Sequence, residues 1–97
     1  MESISFVWDK GKAEANRRKH GVSFEEAETV FYDPNARLIF DSDHSSQEDR
    51  FMLLGFSSAL RILVVCHCYR EGDREIRVIS ARKATRNERK QYERFSP

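Results

Sequence analysis

A chain of 97 residues that is 39% hydrophobic and 34% charged is expected to fold as one domain, residues 1–97, with no room for a second core. Its longest apolar run, Ile62 to Cys66, falls far short of the ~20 residues that cross a bilayer, and the N-terminus lacks the build of a signal peptide. A cytoplasmic protein with no membrane partner is therefore expected. The formal net charge of +1 hides a segregation: residues 21–60 carry two Lys/Arg against eight Asp/Glu, and residues 70–97 carry nine against five. That pattern permits either a positive patch on one surface or a solvated helix face with its own ion-pair partners.

The alternating, aromatic-rich SISFVW (Ser3–Trp8) reads as a short strand. Asp9 stands where an N-cap belongs, and KGKAEANRRKH follows as a helix closed by Gly21. His20, at its C-terminal end, suits the helix dipole. SFEE is a capping box, Ser23 with Glu26, opening a second helix through about Phe31 that Asp33-Pro34-Asn35 stops. The hydrophobic period then changes to two. ARLIFD is a strand, and SDHSSQED is an exposed polar loop that lacks the glycine and terminal glutamate of a calcium loop. RFMLLGF and RILVVCHCYR are strands joined by SSAL, and EGDR turns into the strand EIRVISA. A second capping box, Thr85 with Glu88, opens a C-terminal helix through about Phe95. The order β-α-α-β-β-β-β-α predicts an α+β fold: a small antiparallel β-sheet, two N-terminal helices and one C-terminal helix, packed on one face.

CHCYR, Cys66 to Arg70, looks like a metal site, but side chains alternate along a strand. Cys66 and Cys68 then point one way and His67 the other, and no second ligand pair stands at zinc-like spacing. The expectation is no metal and no cofactor, with cysteine serving as a small buried hydrophobe. If SSAL closes a hairpin that pairs Phe56 with Arg61, Arg50 meets His67 at the end of an apolar floor of Met52, Leu54, Leu63 and Val65. If EGDR pairs Arg70 with Glu75, His67 also faces Val78, with Tyr69 and Ser80 alongside. A slip of one residue would send the set to the other face. His67 is thus either a catalytic group beside Arg50 or a satisfied, partly buried strand histidine.

Arg77 and Arg82 fall on opposite faces of a regular last strand, though Arg82-Lys83 could already have left the sheet. The final helix offers Arg86, Arg89, Lys90 and Arg94, and arginine matches a phosphate with a planar two-pronged donor. Tyr92 could stack on a base or pin the helix to the sheet.

FVWDKGKAEANRRKHGVSFEEAETVFYD, DSDHSSQEDRFMLLG, LVVCHCYR and IRVISARKATRNERKQYE together resemble the BrnT toxins of bacterial type II toxin–antitoxin pairs. The likeness runs from about Phe6 to Glu93, and the family's strand histidine and flanking arginine fall on His67 and Arg70. Cys66 stands where the family usually has a plain hydrophobic residue. The resemblance implies a RelE-like fold, an endoribonuclease that stops translation, and a BrnA-like ribbon-helix-helix antitoxin that reaches operator DNA with the toxin in complex. Metal-independent cleavage uses the RNA's own 2′-hydroxyl, so the expected catalytic set is His67 for proton transfer and Arg50 and Arg82 for the phosphate. Arg70, Arg77, Lys83, Arg86, Arg89 and Tyr92 are the expected RNA-binding residues. A non-catalytic nucleic-acid-binding or protein-interaction module is the alternative.

Overall fold

The computed structural model describes residues 4–95. Its elements follow the expected order: β1 (Ser5–Val7), α1 (Lys10–His20), α2 (Phe24–Thr29), β2 (Arg37–Phe40), β3 (Phe51–Phe56), β4 (Ile62–Arg70), β5 (Glu75–Lys83) and α3 (Arg86–Phe95). Ser3, placed in the first strand by its sequence, lies outside the described residues. The caps are those the sequence encodes. The Asp9 carboxylate accepts from the Lys12 amide at 2.8 Å, and Gly21 ends α1 at a φ of 68°, which an L side chain rarely adopts. Thr85 and Glu88 form both bonds of a capping box. Ser23 caps α2, but Glu26 does not return the bond. Its carboxylate instead binds Arg61 and the Ser57 hydroxyl, strapping α2 to the β3–β4 turn.

The sheet order is β1-β5-β4-β3-β2. Strands β2 to β5 form an antiparallel meander, while β1 joins the β5 edge in parallel. The helices divide between the faces instead of sharing one. Beneath α1 and α2, Val22, Phe24, Ala27 and Val30 pack on Leu53, Leu63, Val65, Val78 and Ala81. The second, smaller core unites Tyr92 of α3 with Ala84, Leu54 and Val64 on the other face. Asn16 locks α1 down: its side chain donates to the Val22 and Ala81 carbonyls and accepts from the Ala81 amide. Asp33 does the same for α3, accepting from the Tyr92 hydroxyl at 2.6 Å and the Phe56 amide at 2.8 Å.

Two register details decide which residues share a face. In the first turn Ser57 N–H donates to the Arg61 carbonyl and Leu60 takes a φ of 61°. Three residues, 58 to 60, therefore form the loop, and Phe56 pairs with Ile62 instead of Arg61. Everything upstream moves by one position: His67 faces Phe51, and Met52 faces Cys66. In the second detail, the β4–β5 ladder slips between Cys66 and His67. Arg70 pairs with Glu75 and His67 with Val78 as expected, but Cys66 pairs with Ser80 and leaves Ile79 as an extra residue.

Candidate functional site

These two displacements separate the expected catalytic set. His67 lies on the face covered by α1 and α2, fully buried. Its Nδ1 bonds to the Val65 carbonyl at 3.1 Å, so Nδ1 carries the hydrogen, and Nε2 accepts from the Tyr69 hydroxyl at 3.2 Å. The rings of Phe31 and Phe51 enclose it at centroid distances of 4.8 and 6.2 Å. Burial pushes its pKa down, with only the Val65 carbonyl opposing, so the imidazole stays neutral. His67 is a satisfied core histidine, fully buried and bonded at both ring nitrogens.

Arg50 sits on the opposite face, because residue 50 has the parity of Met52 and Cys66. The bulge at Ile79 brings Arg82 to that same side, opposite Val64, and also unites it with Arg77, opposite Cys68. A regular strand would have split Arg77 from Arg82. Arg70 shares the parity of Cys68, so these four arginines, from β4, β5 and the residue before β3, belong to the face that α1 and α2 leave open. Cys66 and Cys68 are on this face and His67 on the other, the alternation expected of CHCYR.

Within that face a cleft of about 290 Å³ is lined by Arg50, Arg82, His44, Asp41, Ser80 and Cys66, with Met52, Val64 and Ile79 as its apolar wall. Arg82 is held by a two-pronged pair with Glu88, at 2.7 and 3.0 Å. The arginine holds the Glu88 carboxyl down to about 2, against the cost of burial. Arg50 has no such pair among the described residues. Glu48, two residues before it in the chain, lies 3.7 Å from Arg70. Burial pushes the Cys66 thiol up despite the nearby Arg50 charge, so it is a wall and not a nucleophile.

The sequence missed His44, which it left in a polar loop, and Asp41, which it placed at the end of a strand. A single 3₁₀ turn, Ser42–His44, brings the His44 Nδ1 to 2.9 Å from the Asp41 carboxylate. The signal available was an acid three residues before a histidine, a spacing that one tight turn closes.

The remaining expected binding residues scatter. Tyr92 is buried, edge-on to Phe56 at 5.4 Å and bonded to Asp33, so it pins α3 and offers no stacking surface. Lys83 pairs with Leu63 on the covered face and points its charge toward Glu26. Arg70 and Arg77 line a separate notch with Val7, Trp8 and Asp9. Arg86 and Arg89 are exposed on α3, and Arg89 donates to the Ala84 carbonyl.

Residues 8–88 match the family described as the ribonuclease toxin, BrnT, of type II toxin–antitoxin system. Among solved structures, the chain is similar to the Brucella abortus ribonuclease toxin BrnT: 27% identity, TM-score 0.65, covering 87% of this chain and all of that one. No curated protein matches.

Proposed function

Since the chain belongs to the BrnT family of ribonuclease toxins of type II toxin–antitoxin systems, we propose that it is an endoribonuclease that cuts RNA without a metal and thereby stops translation. Its site is the cleft on the open face. The 2′-hydroxyl of the substrate attacks the neighbouring phosphorus, and the added negative charge is met by guanidinium groups already in place. Arg50 binds the phosphate, unencumbered by a carboxylate among the described residues. Arg82, its direction set by Glu88, offers its remaining N–H groups from the opposite wall. Arg86 and Arg89 of α3 and Arg70 and Arg77 of the adjoining notch carry flanking phosphates, each weakening as salt rises.

The observation that most supports this reading is the convergence of Arg50 and Arg82 on one cleft of the open face, to which the three-residue loop assigns Arg50 and the bulge Arg82. The partner is a protein antitoxin, here taken to be a ribbon-helix-helix protein that covers the arginine-bearing face and brings the toxin to operator DNA. Such an enzyme works in the cytoplasm, where translated RNA is.

The test is incubation of the purified chain with RNA in EDTA. Cleavage that leaves a 2′,3′-cyclic phosphate and a 5′-hydroxyl is expected, and Arg50→Ala should slow it by about 10²–10³-fold. Intact RNA held tightly in a salt-sensitive complex would instead make the chain a binding module.

A further inference from the structure

With His67 sealed in the core, the reaction still needs a group to take the 2′-hydroxyl proton. We propose that His44, oriented by Asp41, is the general base of this site; the inference rests on the ribonuclease reading above.

The geometry is that of a prepared base. Asp41 is an acceptor when ionised, so the hydrogen in the 2.9 Å contact belongs to His44 Nδ1. The other nitrogen, Nε2, is then the one with a lone pair, and no described residue bonds to it. The His44 side chain is 67% exposed and the Asp41 side chain 12%, so the imidazole is presented while its orienting partner is held in the protein. The turn is tied down at both ends. The Asp41 amide donates to the Arg50 carbonyl at 2.8 Å. The Ser45 hydroxyl donates to the Asp41 carbonyl and accepts from the Arg50 amide at 3.0 Å. The base and the phosphate-binding arginine are thus fixed by one hydrogen-bonded ring. Other charged and titratable groups of the cleft are Arg50, Arg82 with its Glu88, and Cys66; none is a neutral nitrogen base.

In the step itself, Nε2 takes the proton from the 2′-hydroxyl and that oxygen forms its bond to phosphorus. The bond from phosphorus to the 5′-oxygen breaks, the oxygen leaves with the electron pair, and it takes a proton from solvent. The imidazolium then returns its proton to solvent. His44 is a catalytic residue by this account, and Asp41 a positioning residue.

The experiment compares the parent chain, His44→Ala, Asp41→Asn and Asp41→Glu on one RNA. His44→Ala should lower kcat about 10²–10⁴-fold, the range of a general base, with KM little changed and an unchanged melting temperature. Added imidazole should restore part of its rate. Asp41→Asn should lower kcat by about tenfold or more at constant KM, and Asp41→Glu should recover part of that loss. A substrate with a 5′-bridging sulfur, whose leaving group needs no proton, should leave the His44→Ala defect in place. A His44→Ala enzyme at parental rate would overturn the proposal, and so would full rescue by the sulfur substrate, which marks an acid. A parent chain that leaves RNA uncut would fail the ribonuclease reading first, a result distinct from either.

Discussion

The two faces of the sheet treat a polar side chain in opposite ways. Under α1 and α2 the buried Asn16 and His67 are answered by neutral partners. Asn16 has three backbone bonds, and His67 has a carbonyl, a hydroxyl and two aromatic rings. On the other face, guanidinium groups and an imidazole line an open cleft; Arg82 is paired with Glu88 and His44 with Asp41, while Arg50 has no carboxylate partner among the described residues. The same residue types serve packing on one side and are available to a ligand on the other. Reactivity here follows from the face, and the face follows from strand parity.

The sharpest way to break this contrast is to remove one arginine and one histidine. Arg50→Ala should cut the rate of RNA cleavage by about 10²–10³-fold, the loss typical of a preorganised charge-stabilising donor, while the melting temperature stays within the scatter of surface substitutions. His67→Ala should behave the other way round. Stability should fall by about 2–4 kcal/mol from the cavity and the orphaned bonds, read by urea unfolding, while the rate per folded molecule stays within about twofold of the parent. If His67→Ala instead abolished cleavage in a fully folded chain, the faces would not be separate in function.

A third change sharpens the picture of the covered face. Gly55 has no side chain because one would collide. An added Cβ would stand 2.9 Å from both the Ala36 Cβ and the Asp33 Oδ2. Gly55→Ala should therefore cost about 1–3 kcal/mol through overpacking, seen in the same unfolding assay.

The smallest effect belongs to the open face. Glu88 sits at about 2 in the folded chain against an ordinary 4.5. A lowered carboxyl stabilises the fold above its unfolded pKa and ceases to do so as pH falls through the folded one. Discounted for the partial exposure of Glu88 and Arg82, the pair contributes about 1–2 kcal/mol at neutral pH. Glu88→Gln should lose that amount at pH 7, and its stability should converge with the parent's between pH 4.5 and about 2.

Most of the element order was legible because it rests on local chemistry. Asp9, Ser23 and Thr85 cap helices by side chains that need nothing distant, and EGDR pairs Arg70 with Glu75 as its length dictates. The site was less legible because it depends on single-residue displacements. Leu60 adopts a left-handed φ that glycine or asparagine would have advertised and leucine does not. Ile79 bulges from a stretch, EIRVISA, with no glycine or proline to betray it. One displacement moved Arg50 away from His67, and the other moved Arg82 beside Arg50. The acid–histidine turn at 41–44 was split between a strand end and a polar loop, because only the folded sheet brings it over a cleft.

The bulge also bears on which changes in chain length the protein can survive. Loss of Ile79 itself would only straighten the strand: Val78 would stay opposite His67, Ser80 opposite Cys66 and Arg82 opposite Val64, with inside and outside unchanged. Drawing Ile79 into the ladder opposite Cys66, with the chain at full length, would instead set Arg82 against Leu63 and expel Ala81, exchanging the two sides of the strand in a single stroke. Removal of one residue is therefore expected to be better tolerated here than within the regularly paired β3.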